Sequence, residues 1–154
     1  MYHYTESGLD NVWLENGYTI HRTPYGKGVS IEDTDGLHLV IAQSIIKKPG
    51  RITGKELRFL RTLLGLSQQS LAQRVLLTTE QSVSLWERTG RVPAQADALL
   101  RIVAFEKFKG NGKVTEILDR INTVDRLCNQ KLVATERRGK WVGHTQSEPE
   151  EAVA

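Results

Sequence analysis

Helix start and stop signals recur at short intervals between residues 53 and 93, and this spacing constrains the fold more than any other feature. The starts are a capping box, in which a Thr hydroxyl and a Glu carboxylate satisfy the first free amides of a helix, and two hydroxyl caps. They lie at Thr53-Gly54-Lys55-Glu56, at Ser67, and at Thr78 or Thr79. The stops are Gly65, Gly90 and Pro93. The segment therefore predicts short helices joined by tight turns.

Apolar side chains recur every three or four residues between these signals, which gives each predicted helix one face to bury. They are Leu57, Leu60, Leu63 and Leu64, then Leu71, Ala72 and Val75 over Gln68–Val75, then Val83 and Trp86 over Glu80–Arg88. A fourth helix is predicted over Ala94–Phe108, with its core formed by Ala98, Leu99, Ile102, Val103 and Phe105. A plain four-helix bundle is the alternative interpretation of this pattern.

Residues 1–50 predict a small β-rich region with one helix. Asn16-Gly17 can adopt the two positive φ angles of a type I′ turn, so it predicts a hairpin between the segments on either side. The predicted strands and helix are Val12–Glu15, Tyr18–His21, Val29–Glu32 and Gly36–Lys48. Pro49-Gly50 ends this helix.

A fifth helix is predicted from about Lys113 to Leu132, because apolar residues recur at helical spacing from Val114 to Cys128. This stripe either forms a dimer interface or packs on its own domain, and the pattern favours neither. The polar sequence after about Ala134 predicts a flexible tail. The predicted fold class is thus α+β, mainly α, in four parts: a β-rich region at 1–50, a helical domain at 51–110, a helix at 111–133 and a tail at 134–154.

The composition excludes several classes of protein. No apolar stretch reaches about 18 residues and no signal peptide is evident, so we expect a cytoplasmic protein without a membrane span. The single cysteine, Cys128, excludes an intramolecular disulfide and is expected to be a small apolar residue on a helix. The four histidines lack the spacing of metal ligands, and no catalytic motif is present. We therefore expect no metal, no cofactor and no enzymatic activity.

Positive charge is concentrated in the middle of the chain. Residues 47–91 contain nine lysine or arginine residues against three acidic residues, whereas residues 1–46 contain two against six. A clustered basic segment is what binding to a phosphate backbone requires, although a solvated basic face gives the same pattern.

The ordered run through residues 64–93 resembles the Xre or lambda-repressor-like helix-turn-helix family. The residues that carry the resemblance are Gly65-Leu66-Ser67-Gln68, Leu71-Ala72, Val83-Ser84-Leu85-Trp86-Glu87, and then Gly90 and Pro93. The resemblance implies that residues 51–110 form a DNA-binding domain whose second short helix lies in the major groove. The chain departs from the compact motif by one additional residue between Val75 and Val83, and by a second at Thr89.

This resemblance defines the candidate site. The residues expected to read base edges are Thr79, Glu80, Gln81, Ser84, Leu85 and Arg88. The residues expected to bind phosphate are Gln68, Lys55, Arg58, Arg61, Arg74 and Arg91. Glu80 is either an acceptor for cytosine or a charge that favours a helix N-terminus. Glu87 is expected to be a structural hydrogen-bonding partner within the fold.

The first 106 residues also resemble the MqsA-like antitoxins and regulators. The resemblance lies in the opening run from Tyr2 to Gly17 and in Tyr25-Gly26-Lys27-Gly28-Val29-Ser30-Ile31. It implies an N-terminal β-containing domain joined to an Xre-type domain, and some members neutralise a toxin and repress their own operon. Relatives hold zinc through N-terminal cysteines, and this chain has none there, with Ser7 where cysteine is expected.

The sequence therefore predicts a homodimeric transcriptional repressor that binds a palindromic operator in double-stranded DNA. An antitoxin that represses its own operon, with a toxin as partner, is the narrower prediction from the resemblance. The alternative is a protein-interaction module that uses the helix-turn-helix as a scaffold.

Overall fold

The computed structural model describes residues 1–108 and 130–147. Over these residues the chain is a mixed α+β protein with five helices and two small sheets. It divides into two compact units, one formed by Met1–Ile41 with Cys128–Ala154 and the other by Ala42–Leu127. No helix in the described part of the chain is long and apolar enough to cross a membrane.

The first unit contains a four-stranded sheet in the order β1-β2-β5-β6. Its strands are β1 (Tyr2–His3), β2 (Val12–Leu14), β5 (Gln130–Arg137) and β6 (Lys140–Ser147). Strand β2 pairs in parallel with β5, and Val12 lies opposite Leu132. Val12 and Leu14 are almost completely buried. A strand from the N-terminal segment is therefore stabilised by a strand from the C-terminal segment.

The second sheet is an antiparallel hairpin of β3 (Tyr18–Thr23) and β4 (Gly26–Ile31), which pair along their whole length. The predicted hairpin between Val12–Glu15 and Tyr18–His21 is therefore wrong, because these segments belong to different sheets. The Asn16 side chain explains the difference. Its amide donates to the Glu136 carbonyl oxygen at 3.2 Å, and its oxygen accepts from the Glu136 nitrogen at 2.7 Å. Asn16 thus continues the pairing to β5 instead of closing a turn.

The C-terminal part also departs from the prediction. Residues 130–133 were expected in a helix and 134–147 in a flexible tail, but both belong to the hairpin of β5 and β6. The physical reason is that Leu132, Val133 and Ala134 are buried in the sheet. Trp141 is also buried, and its indole nitrogen donates to the carbonyl oxygens of Glu32 at 3.0 Å and Asp33 at 3.1 Å. The rest of the predicted fifth helix, with Val114 and Cys128, lies outside the described residues.

The helices follow the predicted start and stop signals. They are α1 (Thr34–Lys47), α2 (Gly54–Leu63), α3 (Gln68–Ser70), α4 (Glu80–Thr89) and α5 (Ala94–Phe108), and a π-helical segment (Leu71–Leu76) follows α3 directly. The predicted capping box is confirmed, because the Glu56 nitrogen donates to the Thr53 hydroxyl at 3.1 Å and the Thr53 nitrogen donates to the Glu56 carboxylate at 2.9 Å. Glu56 also pairs with Lys48 at 2.7 Å.

The buried face of α5 differs from the predicted face. Its buried residues are Ala96, Asp97, Leu100, Arg101 and Ala104, whereas Leu99, predicted in the core, is 39% exposed. The cause is a buried ion pair, in which Arg101 Nε lies 2.6 Å from the Asp97 carboxylate. Arg101 also donates to the carbonyl oxygens of Lys48 at 2.7 Å and Gly50 at 2.5 Å.

Candidate nucleic-acid interface

The candidate interface is formed by α3 with its π-helical extension and by α4. Leu71, Ala72 and Val83 have no exposed surface, and α4 is in contact with both α3 and the π-helical segment. The small side chain of Ala72 allows a close approach. Hydroxyl caps fix where each helix begins: the Ser70 nitrogen donates to Ser67 at 3.0 Å and the Ser82 nitrogen donates to Thr79 at 3.2 Å.

A π-helical segment lies between α3 and α4, where the sequence has one residue more than the compact motif that it resembles. A π-helical turn contains more residues than an α-helical turn, so it takes up an insertion without ending the helix. Here the Leu77 nitrogen donates to the Ala72 carbonyl oxygen five residues earlier, and the Thr78 nitrogen donates to the same oxygen at 2.9 Å. Leu77 then leaves the helix with a left-handed backbone at φ 51°, and its side chain is 84% exposed. The second additional residue, Thr89, simply lengthens α4, and its hydroxyl donates to the Leu85 carbonyl oxygen at 2.8 Å.

Four of the six predicted base-reading residues share one face of α4. Successive helical residues turn by about 100°, which places Gln81, Ser84, Leu85 and Arg88 together and opposite the buried Val83. Gln81, Leu85 and Arg88 are exposed, and Ser84 is half-buried. The face therefore presents an amide, a hydroxyl, an apolar group and a guanidinium to solvent, which are the groups that recognise base edges.

The other two predicted base-reading residues lie at the start of α4. The Thr79 hydroxyl is the N-cap, so it accepts from a backbone amide of the helix itself. Glu80 is exposed in the first turn, to the side of the face that carries Gln81. A carboxylate in this position stabilises the positive end of the helix. Both residues therefore have a structural role that explains their presence.

Glu87 joins three helices by polar contacts. Arg61 Nε on α2 lies 2.7 Å from its carboxylate, and the Gln68 amide nitrogen on α3 donates to its other oxygen. Arg61 also donates to the Leu66 carbonyl oxygen at 3.0 Å. The side chains of Glu87 and Arg61 are only 6% and 14% exposed. The expected structural role of Glu87 agrees with these contacts.

The same contacts change the predicted phosphate-binding set. Arg61 is paired with Glu87 and largely buried, which disfavours its predicted role as a phosphate neutraliser. The Gln68 amide donor is also engaged with Glu87, which leaves the first backbone amides of α3 as the groups that a phosphate would meet. The four remaining predicted residues are all exposed: Lys55, Arg58, Arg74 and Arg91.

Gly54 is a structural residue of the interface whose importance the sequence did not reveal. A Cβ atom at this position would lie 2.7 Å from the Trp86 carbonyl oxygen and would overlap the Glu87 carbonyl oxygen. The start of α2 therefore lies directly against the end of α4, with no space for a side chain. This contact fixes Lys55 close to the C-terminal end of α4. A glycine in the first turn of a helix is the only sequence signal for it.

The arrangement is suited to recognition by hydrogen bonding and charge. Among residues 1–108 and 130–147, no group of three or more metal-ligating side chains is present. Comparisons with protein-family models, with curated proteins and with solved structures found no match.

Proposed function

We propose that this protein is a sequence-specific DNA-binding transcriptional repressor that reads the major groove with α4. In this proposal α3 and α4 act as a helix-turn-helix of the lambda-repressor-like type. Gln81, Ser84, Leu85 and Arg88 approach base edges, while Lys55, Arg58, Arg74 and Arg91 neutralise phosphates. The proposal assigns no catalytic activity to the chain.

The observation that carries the proposal is the face of α4 opposite Val83. This face places an exposed amide, leucine and guanidinium on one stripe. Gln is a hydrogen-bonding partner for adenine, Arg for guanine, and a leucine side chain packs against a thymine methyl group. Support also comes from the basic residues of the same unit, which carry much of the chain's positive charge.

The narrower parts of the proposal rest on the sequence resemblance. A homodimer places two copies of α4 about one turn of DNA apart, so the operator is expected to be palindromic. An antitoxin would in addition bind a toxin partner and repress its own operon. A toxin gene beside the gene for this chain is the observation that would favour the antitoxin over a simple repressor.

The first experiment measures binding to DNA from the protein's own upstream region and to a scrambled duplex of equal length. Fluorescence anisotropy at two salt concentrations gives the affinity for each duplex. We expect a preference for the upstream duplex that survives the higher salt, because base contacts depend less on counterion release than phosphate contacts do. Equal affinity for both duplexes at both salt concentrations would contradict the proposal.

A double variant tests which helix reads the sequence. The change Gln81→Ala with Arg88→Ala removes two groups from the reading face, and each lost base contact costs about 1–3 kcal/mol of discrimination. The matched control is Gln146→Ala with Arg137→Ala, which removes the same residue types from exposed positions on β6 and β5. We expect only the α4 variant to lose its preference for the upstream duplex. An equal loss in both variants would exclude α4 as the reading helix.

A protein-interaction module is the second candidate function, and the exposed leucines of this region favour it. Leu77 is 84% exposed and Leu85 is 47% exposed, although apolar side chains of this size are usually buried. In this case the helix pair would dock against another protein, and DNA binding would be weak and independent of sequence. The anisotropy experiment therefore separates the two candidates.

A further inference from the structure

The hairpin of β3 and β4 has a tip whose charge the fold does not explain. Arg22 and Lys27 lie directly opposite each other across the two strands, so their side chains share one face. Like charges in this position are destabilising. They are also the only two lysine or arginine residues among the first 46 residues.

No carboxylate of the described residues pairs with either cation. The nearest acidic residue along β4 is Glu32, which follows the strand five residues after Lys27. At about 3.3 Å per residue, this separation is roughly 16 Å, which exceeds the Debye length at physiological salt. The repulsion between Arg22 and Lys27 therefore has no local compensation within the hairpin.

The side chain between the two cations is equally unusual. Tyr25 occupies the turn and is 100% exposed, so its ring makes no packing contact that would explain an aromatic residue. Gly26 and Gly28 follow it, and a Cβ atom at either position would meet nothing within 4 Å. The tip thus combines two cations, one exposed aromatic ring and two glycines with no neighbouring atoms at their Cβ positions.

The hairpin of β5 and β6 provides an internal comparison. Its residues nearest the turn, Arg137 and Lys140, are also opposite each other. That turn also contains Arg138, but Glu136, the residue of β5 before Arg137, accepts from the Gly139 nitrogen with its carboxylate at 2.6 Å. Glu136 therefore offsets part of the charge of Arg137, Arg138 and Lys140, whereas residues 18–31 of the β3–β4 hairpin contain no acidic residue.

We propose that the tip of the β3–β4 hairpin is a second nucleic-acid-binding element, in which Arg22 and Lys27 bind backbone phosphates and Tyr25 packs against the sugar or a base. A two-stranded β-ribbon is narrow enough to enter the major groove, and a phosphate between the two cations removes their repulsion. The proposal rests on the proposed function, because it takes DNA as the ligand. It adds a contact from the unit that does not contain α4.

The test is the salt dependence of DNA binding by the full chain. Each phosphate contact contributes about 0.9 to the slope of log affinity against log salt concentration, so the variant Arg22→Gln with Lys27→Gln is expected to lower the slope by about 1.8. The matched control, Arg137→Gln with Lys140→Gln, removes the same net charge and is expected to leave the slope unchanged. Tyr25→Ala is expected to weaken binding without changing the slope.

The scrambled duplex separates this proposal from the proposed function. Phosphate contacts are common to all sequences, so the slope must fall on both the scrambled and the upstream duplex, while the ratio of the two affinities stays the same. An unchanged slope, or the same fall in the control variant, would overturn the proposal. If the wild-type chain bound the upstream and the scrambled duplex equally well, α4 would instead be rejected as the helix that reads the sequence.

Discussion

At the scale of single residues, the environment of a side chain decides its role more than its chemical type. Arg61 and Arg88 are both arginines in the basic segment. Arg61 is paired with Glu87 and largely buried, whereas Arg88 is exposed on α4. The sequence marks both as cations, but only the packing of α2 against α4 shows which one has a partner. The same holds for Gln68, whose amide contacts Glu87.

Gly54 gives a sharp prediction at this scale. The change Gly54→Ala places a methyl group against the Trp86 and Glu87 carbonyl oxygens, and the backbone must move to accept it. Overpacking of this kind typically costs about 1–3 kcal/mol, so we expect a lower free energy of unfolding in urea denaturation.

The control for this change is Gly28→Ala on β4. Gly28 has no positive φ angle and no atom within 4 Å of its Cβ position, so alanine there is expected to leave the unfolding midpoint unchanged or slightly higher. If Gly54→Ala unfolded at the same urea concentration as the wild type, the close contact between α2 and α4 would not exist in solution.

At the scale of elements, a buried charge pair makes the buried face of α5 hard to recognise from the sequence. Asp97 and Arg101 are one turn apart and completely buried, and Ile52 donates its backbone amide to Asp97 at 3.1 Å. Burial raises the pKa of the Asp97 carboxyl and lowers the pKa of Arg101, because both charges are removed from water. Hydrophobic periodicity assigns charged residues to the surface. The buried face that it predicts for α5 therefore excludes Asp97 and Arg101 and differs from the observed buried face.

Two neighbouring leucines on α5 test this face. Leu100 has no exposed surface, whereas Leu99 is 39% exposed. We expect Leu100→Ala to lower the free energy of unfolding by about 2–5 kcal/mol, because it leaves a cavity in the core. Leu99→Ala is the matched control and is expected to cost less than about 1 kcal/mol. Thermal or urea denaturation measures both, and a larger loss for Leu99→Ala would support the face that periodicity predicts.

The elements that the sequence predicted best are those with local signals. The capping box at Thr53, the glycine at Gly65 and the hydroxyl caps at Ser67 and Thr79 act within one turn of the backbone, and the observed helices begin and end at them. The residues expected on the exposed face of α4 came instead from the family resemblance. The π-helical turn did not follow from local signals, because it depends on how α3 packs and not on any single residue.

At the scale of the whole molecule, the first unit is assembled from both parts of the chain. Strand β5 lies between β2 and β6 in the sheet, so the N-terminal strands depend on residues more than a hundred positions later. No pattern within residues 1–50 indicates this dependence. Asn16-Gly17 therefore predicts a local hairpin, and the sequence predicts a helix up to residue 133 and a tail after it.

A truncated chain that ends at residue 127 tests this dependence. Removal of β5 exposes Val12 and Leu14 and leaves β2 with β1 as its only partner strand among those described. We expect limited proteolysis to cleave residues 1–33 much faster than in the intact chain, while α2 to α5 remain resistant. A chain that ends at residue 147 is the control. Equal protection of residues 1–33 in both chains would show that β5 does not stabilise the N-terminal strands.

The parallel pairing of β2 with β5 also sets an order for folding during synthesis. Leu14 pairs with Ala134, so 120 residues must be added after β2 before its partner exists. At about 5–20 residues per second, a ribosome needs roughly 6–24 seconds for that length. The segment that forms α2 to α5 is translated within this interval. These helices contact one another, so their partners within the segment are made before β5. The nascent chain therefore already contains the residues of α2 to α5 while its strand β2 still lacks β5.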